Sequence, residues 1–314
     1  MCPFVSRCFG HSRPKQYCHF CGSRSMLEIT IERALDLTDP EHLITVIGKG
    51  HRGFLGDTTR GRILEQPEAR GTAVGIFWPL SCVLREDQDA LLLILPSDHY
   101  FYPEEQLIFQ MRRAVSVAMG HPEEVILVAA TPDAPETDYG WIEPVRDPAS
   151  DSVSSSILRV SSFHEKPSPC QASQWLKDGY LWNTMITVAY AKTLWCLGRE
   201  VLPEVAKILG EFDHGVGCRF DNSRPDDSLF QTYAELPIKD FSRDVLARIT
   251  EKTLVMALEG VFWSDWGRPE RLYESLDRLR QEFPDWALSR DCSTLQTIWN
   301  QWSSVRVVQE ERHV

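Results

Sequence analysis

Short apolar segments alternate along this chain with longer segments of helical periodicity, and this alternation is the strongest constraint on the fold. The short segments have the length and β-branched composition of buried strands, whereas the longer ones repeat apolar residues every three or four positions. Strands are predicted at residues 43–47, 91–95, 125–130, 157–163, 185–190 and 254–258. Helices are predicted at about 25–36, 71–85, 103–119, 170–178, 192–209, 227–235 and 269–281. The repeated order of strand and helix predicts an α/β fold with a mixed, mostly parallel sheet flanked by helices.

Composition restricts the class of ligand. The 314 residues are 43% hydrophobic, which is enough for a sizeable core, and the formal net charge is −12. Such an acidic chain has no broad electrostatic basis for binding nucleic acid or an anionic membrane. No apolar run approaches the roughly 20 residues of a membrane span, and the amino-terminal segment does not resemble a secretory signal. We therefore expect a cytoplasmic protein with small-molecule ligands.

The nine cysteines are an odd number and are scattered along the chain. This usage does not indicate a disulfide framework, so we expect reduced thiols, most of them acting as small buried hydrophobic residues. Cysteines and a histidine at residues 18–21, with Cys2, Cys8 and His11 nearby, raise the alternative of a zinc-dependent interaction module. A single C-x-x-C pair without a second spaced pair is weak evidence for zinc.

The chain divides most simply into one domain and a tail. Residues 1–268 are predicted to form the α/β domain, in which Asp147–Ser156 and Phe212–Asp227 have the composition of surface loops. Residues 269–314 are charged and helical in pattern, and are predicted to form a docked helical tail. Apolar positions in this tail would suit a homodimer contact.

Two aspartates 167 residues apart each follow an apolar run, Asp98 after Leu91–Leu95 and Asp265 after Val261–Trp263. Open α/β sheets bind ligands at the carboxyl ends of their strands, and two converging carboxylates can hold Mg²⁺ against a triphosphate. Taken separately, Asp98 is also explained as a helix cap and Asp265 as a turn residue. The pair together favours a metal site and phosphoryl-transfer chemistry.

Five further polar segments accompany the two aspartates, at residues 13–16, 66–73, 136–143, 163–167 and 181–184. In order and spacing the set resembles the sugar-1-phosphate nucleotidylyltransferases, and among these the mannose-1-phosphate guanylyltransferases most closely, over roughly residues 5–280. The resemblance implies a Rossmann-like nucleotide-diphospho-sugar transferase fold. It also implies that GTP or another nucleoside triphosphate reacts with mannose 1-phosphate or another hexose 1-phosphate, with Mg²⁺ as cofactor.

The resemblance assigns a role to individual side chains. Asp98 and Asp265 would hold Mg²⁺, and Lys15 would contact the phosphates. The residues that would contact the nucleotide base are Gln66, Gly71 and Thr72. The residues that would contact the sugar or its phosphate are Tyr139, Gly140, Glu165, Lys166 and Asn183.

Structural explanations compete with several of these roles. Gly71 and Thr72 also suit the start of a helix, and the Tyr139-Gly140 pair an ordinary turn. Successive side chains of a strand point to opposite faces, so one of Glu165 and Lys166 would face a pocket while the other is solvated, or both would form a surface pair. Asp244 is a further acidic candidate that a helix amino-terminus also explains.

The family's glycine-rich loop, of the form G-G-x-G-T-R, has no counterpart in this sequence, and Ser6-Arg7 aligns just beyond its expected place. Either the natural protein begins upstream, or the chain is a catalytically impaired sugar-nucleotide-binding relative or regulatory subunit. We expect the first explanation, because the other pocket segments remain recognisable. Losing several preorganised phosphate donors would cost orders of magnitude in rate.

Overall fold

The computed structural model describes residues 2–9, 12–56, 59–145, 157–211 and 227–279. These residues form two compact units. The larger comprises Thr30–Pro96 and Phe101–Trp263, and the smaller comprises the described residues of Met1–Ile29, Ser97–Tyr100 and Ser264–Val314. The predicted boundary between residues 268 and 269 lies within the smaller unit.

The described elements alternate between strand and helix along much of the chain. The strands are β1 (Ile44–Ile47), β2 (Arg62–Glu65), β3 (Leu91–Ile94), β4 (Tyr100–Tyr102), β5 (Val125–Ala130), β6 (Gly140–Pro144), β7 (Ile157–Glu165), β8 (Leu181–Tyr190), β9 (Thr253–Ala257) and β10 (Phe262–Ser264). The helices are α1 (Cys2–Phe9), α2 (Met26–Leu35), α3 (Gly71–Glu86), α4 (Glu104–Gly120), α5 (Pro169–Asp178), α6 (Ala191–Val201), α7 (Pro203–Glu211), α8 (Asp227–Glu235), α9 (Phe241–Asp244) and α10 (Pro269–Arg278).

The main sheet has six strands in the described part of the chain, in the order β3-β8-β5-β9-β7-β6. Strands β3, β5, β9 and β6 run in one direction, whereas β7 and β8 run in the other. The predicted α/β class and mixed sheet are confirmed. Most neighbouring pairs are nevertheless antiparallel, because β8 lies between β3 and β5 and β7 lies between β9 and β6. The expected predominance of parallel pairing is therefore wrong, although four of these six strands share a direction.

Strand β5 is buried on both faces, with every side chain at most 4% exposed. Alternate strand residues point to opposite faces. Val125, Leu127 and Ala129 enter a core that also contains side chains of α3, α6 and α7. Their neighbours Ile126 and Val128 enter a second core with side chains of α4. The near-continuous apolar run of β5 is thus explained by helices packed on both sides of the sheet.

Proline explains one departure from the predicted helices. A single helix was expected at residues 192–209, but α6 ends at Val201 and α7 begins at Pro203. Proline lacks an amide hydrogen and disfavours helical geometry in the preceding residue, Leu202, while its fixed φ suits the first turn of a new helix. The short strands β2, β4, β6 and β10 were not predicted, since three to five residues carry little periodic signal.

Some predictions fall on residues that the structure does not describe. The predicted loop at 147–156 and most of the one at 212–227 lie outside the described residues, as does the tail after residue 279. The described start of the tail is helical, as α10. No described helix has the length and apolar character needed to cross a membrane.

The cysteines differ from the expectation of uniformly reduced, mostly buried thiols. Cys82 is disulfide-bonded. Cys18 is a buried free thiol and Cys21 a partly buried one, whereas the free thiols of Cys170 and Cys196 are exposed.

The smaller unit has its own aromatic core. Phe20 packs edge-to-face on Trp266, with ring centroids 5.7 Å apart, and stacks against Phe4 at 6.5 Å. Leu272 and Leu276 of α10 join this cluster and are fully buried. Such aromatic pairs add about 0.5–1.5 kcal/mol each beyond the area they bury, so this core fixes the start of α10 beside Trp266.

Gly198 is a close-packing point between helices of the larger unit. A methyl group at Gly198 in α6 would lie 1.9 Å from Cε1 of the fully buried Phe77 in α3. We predict that Gly198→Ala lowers the free energy of unfolding by about 1–3 kcal/mol, since the overpacked core must shift. Denaturant unfolding measures this. Gly120→Ala, at the end of α4 with no neighbour within 4 Å, should stay within about 0.5 kcal/mol of the parent; an equal loss in both variants would contradict the packing explanation.

Candidate functional site

Lys15 brings the two predicted metal-binding aspartates into one cluster of the smaller unit. Its Nζ lies 2.9 Å from Oδ2 of Asp98 and donates a hydrogen bond to the backbone carbonyl of Asp265. Lys15 begins a short 3-10 turn after Pro14, and Asp265 directly follows β10. The ammonium therefore contacts two segments that are far apart in sequence. These are the segments that carry Asp98 and Asp265.

Both carboxylates of this cluster are held in the ionised form. Burial acts to raise the pKa of Asp98, but His99 and Lys15 outweigh it and hold the pKa below its ordinary value. Burial likewise opposes ionisation of Asp265, whose pKa is nevertheless lowered by the amide of Gly267 and by Arg271, His99 and Lys15. His99 and Lys15 thus act on both aspartates, which shows that the two carboxylates share one electrostatic environment.

Local backbone geometry fixes the orientation of Asp265. Its Oδ1 accepts hydrogen bonds from the amide of Gly267 and from Nη1 of Arg271, each 2.9 Å long. A methyl group at Gly267 would lie 2.6 Å from Oδ2 of Asp265. Trp266 between them has a φ of 42°, a strained value for a bulky residue, and stacks on Tyr100 with ring centroids 4.2 Å apart. The carboxylate of Asp265 is therefore held by hydrogen bonds at Oδ1 and by the close approach of Gly267 at Oδ2.

The donor set of this cluster is compatible with Mg²⁺. The described residues contain no group of three or more His, Cys, Asp and Glu side chains arranged to hold a metal ion. The cluster offers a metal ion two carboxylates, those of Asp98 and Asp265. Mg²⁺ is commonly bound by one or two carboxylates together with water and substrate phosphates, rather than by a complete protein cage.

Glycine at position 140 allows the predicted sugar contacts of the larger unit to meet. Gly140 pairs with Glu165 across β6 and β7. A methyl group at Gly140 would lie 2.8 Å from Oε1 of Glu165 and 3.3 Å from Cβ of Asn183. The neighbouring Tyr139 is buried against Trp182, with ring centroids 5.0 Å apart. Gly140 therefore lies close to both Glu165 and Asn183, two of the other predicted sugar contacts.

A bulge in β8 orients Asn183. The pairing of β8 with β5 shifts register between Val128 and Ala129, leaving two extra residues in β8. One of them, Met185, has a φ of 67°, and its amide donates to Oδ1 of Asn183 over 3.1 Å. Bulges of this kind redirect side chains next to functional sites.

Lys166 is exposed and Glu165 is half-buried, so the two side chains of this pair differ in environment. Lys166 has a φ of 49°, and its amide donates to the carbonyl of Tyr139 over 3.2 Å. Burial raises the pKa of Glu165, and Asp240 adds to this, while Ser242, Lys166 and Arg243 act against it. A cavity of about 360 Å³ opens beside them. Its lining includes His164, Glu165, Lys166, Gln171, Trp175 and Arg243.

The predicted base contacts lie at the start of α3 and just before it. Gly71 is the first residue of α3, with a φ of 86°, and a methyl group there would lie 2.2 Å from the carbonyl oxygen of Lys239. The hydroxyl of Thr72 donates to Oδ2 of Asp240 and accepts from the amide of Phe241. Both residues therefore have structural contacts of the kind that the helix-start explanation requires.

Gln66 differs from Gly71 and Thr72 in having an unused polar atom. Its Oε1 is buried and has no hydrogen-bond partner within the described part of the chain. A methyl group at Gly75 of α3 would lie 3.5 Å from this oxygen. A buried acceptor without a partner is rare in native proteins, and is satisfied when a ligand donates to it.

Two weaker candidates have structural roles. One carboxylate oxygen of Asp244 accepts the amide of Asp240 over 2.7 Å, closing the α9 turn. Burial raises the pKa of Cys18 to about 11 and that of Cys21 to about 12, which disfavours the thiolate that zinc requires. The side chains of Cys2 and Cys8, and the whole of His11, lie outside the described residues.

Sequence reasoning missed His99, Arg271 and Ser242. His99 follows Asp98 directly, and this adjacency was the available signal. Arg271 lies six residues after Asp265 and is 6% exposed in its side chain, a burial that its charged helical segment did not indicate. Ser242 reaches Asn183 across 59 residues of sequence, and no local pattern could reveal that contact.

The chain matches the nucleotidyl transferase family over residues 9–282. It belongs to this family.

The chain is similar to curated relatives along most of its length. It is 29% identical over 274 residues to a mannose-1-phosphate guanylyltransferase of Escherichia coli, covering 83% of this chain and 55% of the relative. It is 26% identical over 273 residues to the alginate biosynthesis protein AlgA of Pseudomonas putida, covering 83% and 53%. The chain thus spans about half the length of these relatives.

Solved structures show the fold of this chain. A crystal structure from Thermus thermophilus, described as a mannose-1-phosphate geranyltransferase, superposes with a TM-score of 0.72 at 24% identity, covering 89% of this chain and 77% of the other. A UDP-glucose pyrophosphorylase complexed with UDP-glucose superposes with a TM-score of 0.52 at 12% identity, covering 85% and 90%. The predicted Rossmann-like nucleotide-diphospho-sugar transferase fold is therefore confirmed.

Acid stability tests the charge balance around Asp98. A carboxyl whose pKa is lowered on folding stabilises the native state fully above its unfolded pKa of about 3.9, and this contribution is lost as the pH falls through the folded-state pKa. We predict that Asp98→Asn gives a shallower loss of unfolding free energy as the pH falls below about 4. Urea unfolding across this pH range measures the slope. Asp178→Asn controls for the loss of one negative charge, and an unchanged slope in Asp98→Asn would contradict the prediction.

The contact of Gly71 with Lys239 predicts a second stability effect. Gly50→Ala serves as a matched variant, because Gly50 has a φ of 77° and no neighbour within 4 Å. Both substitutions impose a left-handed conformation that costs about 1–2 kcal/mol. We expect Gly71→Ala to lower the free energy of unfolding by at least about 2 kcal/mol more than Gly50→Ala does, because its methyl group also clashes with the carbonyl oxygen of Lys239 in the native state. Thermal melting of the two variants measures both effects. Equal losses of stability would contradict the prediction, because they would show that the carbonyl of Lys239 moves away without cost.

Proposed function

We propose that this chain transfers a nucleotidyl group from a nucleoside triphosphate to a hexose 1-phosphate. A phosphate oxygen of the sugar phosphate attacks the α-phosphorus, forming a nucleoside diphosphate sugar and releasing pyrophosphate. Names of the similar proteins favour GTP and mannose 1-phosphate as the substrates, with GDP-mannose as the product. No protein nucleophile takes part, so alignment and charge neutralisation supply the rate enhancement.

The observation that carries this proposal is the cluster of Lys15, Asp98 and Asp265. Segments 250 residues apart in sequence meet at one ammonium. Separate contacts hold the two carboxylates: Asp98 pairs with Lys15, whereas Asp265 accepts from Gly267 and pairs with Arg271. Two ionised carboxylates beside a cation match the requirements of a nucleotide with its magnesium ion.

Each residue of the cluster has a separate role in the proposed reaction. Asp98 and Asp265 would hold Mg²⁺, which supplies charge neutralisation of the phosphates when bound. Lys15 would exchange its contact with Asp98 for a phosphate oxygen, acting as a point charge. His99 favours the ionised form of both carboxylates, and Arg271 favours that of Asp265 and holds it in place.

The residues of the larger unit would bind the base and the sugar phosphate. Lys166 is exposed beside the cavity and would neutralise the phosphate of the sugar. Glu165 would accept hydrogen bonds from sugar hydroxyls, and Asn183 would donate hydrogen bonds to them or accept from them. Gly140 leaves room for the sugar ring. The unpartnered Oε1 of Gln66 would accept a hydrogen bond from the base, which a guanine can donate.

Pyrophosphate release from GTP and mannose 1-phosphate with MgCl₂ tests the proposal. We expect Asp265→Asn and Asp98→Asn each to lower kcat by about a hundredfold or more, since each removes preorganised charge stabilisation. Asp178→Asn, at the exposed end of α5, should retain the parent rate. If GTP or mannose 1-phosphate raises the melting temperature of the chain but no pyrophosphate is released, the chain is a sugar-nucleotide-binding protein and not an enzyme.

A further inference from the structure

Ser162 connects Glu143 to His164 by hydrogen bonds on one face of the main sheet. Its Oγ lies 2.6 Å from Oε2 of Glu143 and 2.8 Å from Nε2 of His164. Glu143 and Ser162 lie opposite each other in the register of β6 and β7, and His164 follows Ser162 by two residues along β7, so the three side chains share a face. The pairing of two strands thus brings a carboxylate, a hydroxyl and an imidazole into contact.

The proton positions along this series follow from the charge of Glu143. The hydrogen bond from Ser162 lowers the pKa of Glu143, so its carboxylate is ionised at neutral pH and can only accept hydrogen bonds. A serine hydroxyl has one hydrogen, and Ser162 donates it to Glu143. The oxygen of Ser162 therefore accepts the hydrogen of Nε2 of His164. In the neutral imidazole this arrangement places the proton on Nε2 and leaves Nδ1 as an acceptor.

Aromatic packing fixes the plane of the same imidazole. His164 stacks on Trp175 of α5, with ring centroids 4.6 Å apart and an interplanar angle of 23°. Ser162 thus sets the position of the ring, and Trp175 sets its plane. In the described part of the chain, Nδ1 of His164 has no hydrogen-bond partner, and it is not a fully buried atom. The ring therefore presents an accessible acceptor in a fixed orientation.

His164 lines the cavity that also contains side chains proposed for the sugar phosphate. Residues 163–167 all line this cavity of about 360 Å³, so it wraps around the end of β7 and receives side chains from both faces of the strand. Glu165 and Lys166 therefore reach the cavity together with His164, although Glu165 and His164 point to opposite faces. The volume is within the range of about 300–1,000 Å³ that is typical of small-molecule sites.

The lining of this cavity suits a ligand that is both anionic and hydroxylated. Lys166 is exposed and supplies a positive charge. Arg243 also lines the cavity, but its guanidinium pairs with Asp244 over 3.2 Å. Gln171 uses its Oε1 in the capping box of α5, which leaves its amide hydrogens for a ligand. A cation, an amide donor and the imidazole acceptor together match the phosphate and hydroxyl groups of a hexose phosphate.

We propose that His164 is a specificity-determining residue of the sugar-phosphate site, whose Nδ1 accepts a hydrogen bond from a hydroxyl of the hexose 1-phosphate. This inference rests on the proposed function, in which Lys166 neutralises the phosphate of the same ligand. Ser162 and Glu143 are positioning residues, because they keep the proton on Nε2 and so keep Nδ1 free to accept. The contact is to the sugar and not to the reacting phosphorus, so its loss weakens binding of the sugar phosphate more than it slows the chemical step.

Deoxy analogues of mannose 1-phosphate test this contact. In the parent chain, the analogue that lacks the hydroxyl bound by His164 should have a KM about tenfold above that of mannose 1-phosphate, since one hydrogen bond is lost. His164→Phe keeps an aromatic ring against Trp175 but has no ring nitrogen. We expect this variant to raise the KM for mannose 1-phosphate about tenfold, with kcat changed less than about threefold.

The pattern among the analogues separates a lost contact from a general defect. In His164→Phe the penalty for one deoxy position should disappear, whereas the penalties for the other positions stay. Each penalty compares two sugars on one variant, so a partial loss of folding cancels. His121→Phe is the matched control, because His121 also hydrogen-bonds a carboxylate, that of Glu124 at 2.9 Å, but does not line the cavity. It should retain the parent KM for every sugar.

Nitrogen-15 NMR of histidine-labelled protein gives a readout that does not depend on turnover. Neutral His164 should be the Nε2–H tautomer, and mannose 1-phosphate should shift the Nδ1 signal, with His164→Phe assigning both signals. Ser162→Ala should populate both tautomers, because Nε2 loses its acceptor. Its KM for mannose 1-phosphate should rise less than that of His164→Phe, since the imidazole remains.

Two results would overturn the role of His164. The first is a His164→Phe variant that keeps the parent KM and every deoxy penalty while the parent chain turns over. The second is an Nδ1–H tautomer in the neutral form, since that nitrogen could not accept. If the parent chain neither turns over nor binds mannose 1-phosphate, the proposed function fails and its sugar contacts with it, whereas the tautomer still decides whether Ser162 and Glu143 control the imidazole.

Discussion

The complete burial of β5 is the constraint on which the larger unit depends. A strand with apolar side chains on both faces must be covered on both sides, so α3, α6 and α7 contribute to one core and α4 to the other. Each fully buried aliphatic side chain contributes about 1.5–3 kcal/mol, and the strand presents a continuous row of them. The neighbouring strands β8 and β9 take their register from this buried strand. The candidate sugar-site residue Asn183 lies where β8 departs from that register, so the candidate site is a local irregularity supported by a regular, buried sheet.

Strained backbone accompanies the candidate site residues in both units. Among the described residues, the non-glycine residues with positive φ are Lys166, Met185 and Trp266. Each is adjacent to, or part of, a candidate constellation: Lys166 follows Glu165, Met185 hydrogen-bonds Asn183, and Trp266 follows Asp265. Such conformations cost of order 1–3 kcal/mol each and persist where surrounding contacts over-determine them. The stacked ring of Tyr100 and the hydrogen bonds of Gly267 and Arg271 provide those contacts around Asp265.

Prediction from sequence succeeded where the signal was local and repeated. The main helices and the long apolar strands were found because their periodicity extends over many residues. The break at Pro203 was missed because the apolar pattern continues across it. The parallel character of neighbouring strands was overestimated, since the order in which strands pair depends on contacts between distant segments. The clustering of Lys15, Asp98 and Asp265 followed from a joint pattern of motifs, whereas the buried partners Arg271 and Ser242 have no local signature.

The amino-acid sequence by itself determined the α/β class, the boundaries of most long elements and the set of chemically suitable side chains, because these depend on residue type and short-range periodicity. Tertiary structure decided which of those side chains meet. It showed that Gly71 is required by the carbonyl of Lys239, that the hydroxyl of Thr72 is engaged by Asp240 and Phe241, and that Ser242 hydrogen-bonds Asn183. These contacts are between residues far apart along the chain, and their geometry is set by packing of the whole unit rather than by any segment of it.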